Sequence, residues 1–190
     1  MKRVIIYDTT DATLSPVWAL GARLYRRLGW CDEISGAPTM AEAMISIRAR
    51  HARASVDEIQ IWSHGSPGRL WWGRKALPPD VLAGYLLGTL RPEGLLWLRI
   101  CAYVCGAPGR QAVHHLGRHL GATVAAHTHD IGHYGLHSGL RVYHPDDSRM
   151  DWPAEEGIVE GTVARPTKAA PSRPWHPSTI TALTHRLPRR

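Results

Sequence analysis

The chain has 190 residues, a formal charge of +7, three cysteines, eight tryptophans and no phenylalanine. That length suits one domain with a tail and needs no disulfide scaffold; the odd cysteine number argues for reduced thiols, and no apolar run approaches the ~18 residues of a membrane span. Six basic residues (Arg165, Lys168, Arg173, Arg186, Arg189 and Arg190) follow the last acidic residue, Glu160, so the body is nearly neutral, which argues against a specific nucleic-acid partner.

Val4–Asp8 (VIIYD) reads as a buried first strand and TTDATLSP as a turn. Ser15-Pro16 then looks like an N-cap with proline at the first helical position, opening a helix toward Gly29 with Val17, Leu20, Leu24 and Leu28 on its inner face. CDEIS reads as a short strand. Thr39 with Glu42 three positions on is a capping box, and Met40, Ala43, Met44 and Ile47 form the apolar stripe behind it.

Asp57–Ser63 (DEIQIWS) and Leu95–Ile100 (LLWLRI) have the apolar, β-branched and aromatic character of central strands. Between them lie a loop with a small hairpin (SPGRLWWGRKAL) and a helix over Pro79–Gly88. Gly106–Gly109 reads as a turn, Arg110–Leu120 as a helix closed by Gly121, ATVAAH as a further strand and GLRVYH as an edge strand. Strands alternating with helices of about ten residues predict a three-layer α/β/α sandwich around a mostly parallel sheet, spanning residues 1–164. Residues 165–190, rich in Pro, Ser, Thr and Arg, read as a flexible basic tail. The N-terminus has no secretory pattern, so a cytoplasmic location is expected, with no membrane partner.

Chemistry in an open α/β sheet gathers beyond the carboxyl ends of the strands. His64 follows one central strand and Cys101 follows the next, which makes a Cys/His dyad the natural candidate. A thiol attacks as thiolate, and His64 together with the N-terminus of the following helix would favour that form. Gly65 lacks a Cβ, so a substrate carbonyl can approach its amide, an oxyanion donor. Trp71 and Trp72 follow the histidine as possible groove walls, one of them at least being expected in the core. His127 and His129 share a face at a strand end and could reach a bound ligand. Eight of the twelve histidines fall between His114 and His144, but no zinc-binding spacing such as H-E-x-x-H occurs.

Two segments, IWSHGSPGRLWWG (Ile61–Gly73) and LLWLRICAYVCGAPGRQAVHHLGRHLGATVAAHTHDIG (Leu95–Gly132), resemble the caspase-like clan of cysteine peptidases. Closest is a bacterial caspase-like domain family of uncharacterised function with Ser-His-Gly-Ser-x-Gly and Cys-x4-Gly-x2-Gly motifs. The resemblance implies that Cys101 is the nucleophile of an endopeptidase, that His64 manages protons, and that the amides of Gly65 and Cys101 hold the oxyanion. No cofactor is implied, and the partner is a protein or peptide substrate. It also makes Asp8 a candidate for selecting a basic substrate side chain. Ile100 departs from the pattern, in which a small residue precedes the cysteine. Cys105 is expected to be a core or turn thiol. The alternatives are an inactive interaction module with the same fold or, from the histidines, a metal-dependent hydrolase.

Overall fold

The computed structural model describes residues 1–53, 55–131, 139–147 and 149–171. In chain order the elements are β1 (Arg3–Asp8), α1 (Leu14–Arg27), β2 (Glu33–Ala37), α2 (Met40–Arg50), β3 (Val56–Trp62), β4 (His64–Ser66), β5 (Arg69–Trp72), β6 (Lys75–Leu77), α3 (Pro79–Leu86), β7 (Leu90–Arg99), α4 (Gly106–Leu120), β8 (Thr123–His127), β9 (Leu140–Tyr143), β10 (Ile158–Gly161) and β11 (Pro166–Ala169). The fold is mixed α/β. A six-stranded sheet runs in the order β2-β1-β3-β7-β8-β9, parallel except for the antiparallel edge strand β9. No helix among the described residues is long and apolar enough to cross a membrane.

The central strands are buried along their length because they are apolar at successive positions, not at alternate ones. In β1, Val4 and Ile6 join a large core with Met44 and Ile47 of α2, Leu82 of α3 and Leu116 of α4. Ile5 between them joins a second cluster with Ala22 and Tyr25 of α1 and with Trp62, as side chains that alternate across a pleat must. α2 forms as its sequence indicates: the Thr39 hydroxyl accepts from the Glu42 amide at 3.2 Å, and Met40, Ala43, Met44 and Ile47 are its buried residues.

α1 turns a different face inward from the one its leucines suggest. Val17, Leu20, Leu24 and Leu28 are 43–68% exposed, whereas Ser15, Ala22 and Tyr25 are buried. The cause is close approach: a Cβ on Gly21 would lie 2.9 Å from the Trp62 ring, so only a face of small residues flanked by Tyr25 and Trp18 can dock there. Ser15 is not the cap either; its hydroxyl donates to the Asp8 carbonyl at 2.9 Å, and the Asp11 carboxylate takes the first amides of the turn. Leu20→Lys with Leu24→Lys is therefore expected to change the urea midpoint by less than about 0.5 kcal/mol equivalent. Tyr25→Ala is expected to cost about 3–5 kcal/mol.

Three boundaries differ from those read from sequence. β7 begins at Leu90, not Leu95, and passes Glu93 in the left-handed region (φ 62°) where its register against β3 shifts. α4 begins at Gly106, so the expected turn is its first helical turn. The region read as tail, residues 165–190, contains a strand. Pro166–Ala169 pairs with β10, and Ala169 packs on Ala102 and Cys105. The rest of that expected tail, from residue 172 onward, lies outside the described residues.

Candidate active site

Trp62 of β3 stands beside Arg99 of β7 in register, so the two chains leave the sheet together at its carboxyl edge. The loops that follow interlock through glycines. A Cβ on Gly65 would lie 2.8 Å from the Cys101 carbonyl oxygen and 3.0 Å from Ile100, and one on Gly68 would lie 2.7 Å from the Pro108 carbonyl oxygen. The Gly68 amide donates to the Tyr103 carbonyl at 2.9 Å. Gly109 is pressed onto the backbone of Tyr103 and Val104. These contacts explain the glycine spacing in both motifs: each marks a place where two backbones touch and a side chain would force them apart. Gly65 thus brings the His64 segment against the Cys101 segment.

His64 opens the small hairpin, whose strands pair in the order β4-β5-β6. Ser63 donates to the Trp71 carbonyl and the Trp71 indole donates to Ser66 Oγ at 3.1 Å, fixing the turn on both sides of the histidine. The ring is 42% exposed, with Nε2 2.8 Å from Asp11 Oδ2 and an edge-on contact to Trp18 at 5.3 Å between centroids. Asp11 is itself held, because its Oδ1 accepts from the amides of Thr13 and Leu14, each at 2.7 Å. The Leu14 amide above all, then the imidazole, then the Thr13 amide keep this carboxyl below the usual aspartate range. A fixed carboxylate on one ring nitrogen orients the imidazole and sets its tautomer. A cleft of about 760 Å³ opens beside the pair, lined by Thr10, Asp11, His64, Trp72, Arg74 and Lys75 among others.

Cys101 is the least buried of the three thiols. Its Sγ lies 3.9 Å from the Ile131 carbonyl, to which it donates. The next residue, Ala102, is in the left-handed region (φ 49°), held there by its amide bond to the His129 carbonyl at 2.9 Å and by the Val104 amide on the His127 carbonyl at 3.0 Å. A non-glycine residue in that conformation beside a candidate nucleophile is a locally strained turn over-determined by its neighbours. The expected activation of the thiol in the free protein is not what the surroundings produce. Burial pushes Cys101 above the ordinary cysteine value, backbone hydrogen bonding at Ile131 offsets part of this, and the Asp130 carboxylate pushes it further up. His64 is engaged by Asp11, and Cys105, not Cys101, occupies the N-cap of α4. Cys31 and Cys105 are buried, with burial raising each to about 11.

The remaining candidates separate. Asp8 is fully buried, its Oδ1 accepting from Thr10 N at 2.8 Å and its Oδ2 from Gly73 N at 2.6 Å. It ties the first turn to the hairpin, which corrects its expected role as a selector of basic side chains. Trp72 is a core residue whose indole donates to the Ala37 carbonyl at 3.1 Å, and it also borders the cleft. Trp71 is half-buried beside His64. His127 is fully buried at the end of β8, which corrects its expected reach into the crevice. No group of three or more His, Cys, Asp or Glu side chains that could hold a metal ion occurs among the described residues. The residue that sequence reasoning missed is Asp11. An aspartate three positions before the first helical residue is a capping signal, and this one meets His64.

No curated protein matches the chain. Residues 34–139 match a family described as "Domain of unknown function (DUF4347)". The matched stretch starts in β2 and ends just before β9, so it contains both interlocked loops, His64 and Cys101, and it covers more than half of the 190 residues. The chain belongs to the DUF4347 family.

Proposed function

We propose that the chain is a cysteine peptidase with the three-layer architecture and dyad chemistry of the caspase-like clan. One observation carries this reading: Gly65 packs on the Cys101 carbonyl, so an imidazole held by Asp11 and a partly exposed thiol leave adjacent strands on touching backbones. Cys101 Sγ would attack a peptide carbonyl carbon, forming the C–S bond while the thiol proton passes by way of His64 to the departing amine. Amides at Gly65 and Cys101 would hold the oxyanion. Water activated by His64 would then cleave the acyl-enzyme, returning the proton to sulfur.

A thiol kept protonated until a substrate arrives is compatible with this scheme, because closure over a peptide removes water and brings the carbonyl to the sulfur. It sets a sharp test. Peptidyl chloromethyl ketones are expected to alkylate Cys101, mapped by mass spectrometry, at least about a hundredfold faster than iodoacetamide does at neutral pH. His64→Ala should erase that advantage. If the peptidyl reagents show no preference for Cys101 over Cys31 and Cys105 in native protein, the chain is an interaction module that retains the fold without the reaction.

A further inference from the structure

A second concave surface lies along α4, where Gln111 and His115 also border the hollow lined by Gly68 and Pro108. The exposed side of this helix carries two rows at helical spacing, Arg110, His114 and Arg118 in one and Gln111, His115 and His119 in the other. Residues eight apart on a helix are about 12 Å apart along its axis. With Arg149 across from them, these rows line a groove of about 910 Å³ in which Asp147 is the one carboxylate. Arg110 is pre-positioned, its guanidinium 5.6 Å over the Trp152 ring and donating to the Trp152 carbonyl. Arg118 and Arg149 form no ion pair among the described residues. The rings of His115 and His119 lie nearly parallel, with centroids 5.6 Å apart and planes 12° apart.

We propose that this groove binds the phosphate backbone of single-stranded nucleic acid, without sequence preference. Guanidiniums take phosphate oxygens bidentately, and flat exposed rings between them offer stacking surfaces to bases. The ~12 Å row carries an arginine at each end, Arg110 and Arg118, and Arg149 stands across the groove, so three guanidiniums are offered to the phosphates of one strand. An anionic membrane is the weaker match: Met150 is the only aliphatic side chain lining the groove, so nothing there would insert among acyl chains.

Histidine as a residue type gains charge as pH falls from about 8 to about 5, so the groove becomes more cationic in acid. The groups facing the three imidazoles set how far. Tyr143 of β9 has its ring 5.7 Å from His114, Asp147 and Arg149 stand across the groove, and Asp80 of α3 and Arg69 of β5 share the surface hollow on the other side of His115. Arg110 and Arg118 of α4 line the same groove, so cations outnumber carboxylates around the imidazoles.

The test is fluorescence anisotropy of the full chain with a short fluorescein-labelled oligothymidine, at several salt concentrations. At about pH 8 the slope of log K against log salt is expected near about −2, for three arginines, and it is expected to steepen at about pH 6 toward a limit of about −4 for six cationic side chains. Arg118→Glu with Arg149→Glu should weaken binding at least about tenfold and flatten the slope. His115→Ala with His119→Ala should remove most of the pH-dependent steepening while leaving binding at about pH 8 intact. Circular dichroism checks that both variants stay folded. Absence of oligothymidine binding at low salt overturns the proposal. So does unchanged affinity in the arginine reversal, which would assign binding to the basic residues beyond position 171. Equal or tighter binding of polyglutamate or phosphatidylserine vesicles overturns it as well.

Discussion

Replacing Cys101 with alanine is expected to abolish peptide turnover, by a factor on the order of 10⁴ or more, with an unfolding midpoint close to that of the parent. The sulfur is the only protein atom in the proposed scheme that bonds to substrate, so no other group can substitute for it. Its packing contribution is small, because the residue is partly exposed and the one hydrogen bond its sulfur makes among the described residues is the long 3.9 Å contact to the Ile131 carbonyl. Asp11→Asn makes a finer companion. The amide retains an oxygen for the Thr13 and Leu14 amides and so preserves the turn, but it removes the negative charge from His64. Turnover is expected to fall by roughly 10²- to 10⁴-fold, mainly in kcat, as for a carboxylate that holds and charges an imidazole. The sign of the pH effect follows from Asp11. Its folded-state carboxyl titrates below the usual range, so its support of His64 is complete above the ordinary aspartate value and is lost as pH falls through the lowered one. Parent activity should therefore fall along an acid limb that Asp11→Asn no longer shows, read from kcat against pH for the two proteins. If Cys101→Ala still cleaves, or if Asp11→Asn keeps the parent's kcat and acid limb, the dyad assignment is wrong.

Much of the fold was legible because its signals are local. The capping box at Thr39, the apolar run of β1 and the left-handed cap at Gly121 (φ 58°) each act within a few residues, and the alternation of strands and helices then restricts the sheet to a few arrangements. The inner face of α1 was not legible. Its leucines point outward because Gly21 must meet Trp62, a partner far along the chain that no periodicity encodes. The same limit divided the site. His64 and Cys101 stand at strand ends and could be read there, but Asp8 and Asp11 are both aspartates of one turn. Which of them is buried on backbone amides and which meets the imidazole depends on where the Gly73 turn of the hairpin falls. The thiol's protonation was misjudged for a related reason: it is set by burial and by Asp130, which are brought to Cys101 by the tertiary fold.

Gly109→Ala is expected to destabilise the protein by about 2–4 kcal/mol and to disable the site, whereas Gly84→Ala is expected to stabilise it by about 0.5–1 kcal/mol. Both glycines sit inside helices, where alanine is ordinarily preferred because it loses less backbone entropy on folding. Gly84 lies on the exposed side of α3 with nothing within 4 Å of the Cβ it lacks, so only the entropic gain remains. At Gly109 the added methyl would lie 2.6 Å from Val104 Cα and would press on the Tyr103 carbonyl oxygen. These are backbone atoms of the turn that carries Cys101, so relief requires the turn to move away from α4. That displacement would break the Gly68–Tyr103 hydrogen bond and shift the Cys101 carbonyl off Gly65. Urea midpoints for the two variants read the stability difference, and peptidyl chloromethyl ketone labelling of Cys101 reads the site. A Gly109→Ala protein as stable as the parent, labelling at the parental rate, would show that the two loops are not locked together by backbone contact, and the reason given for the glycine spacing of both motifs would fail with it.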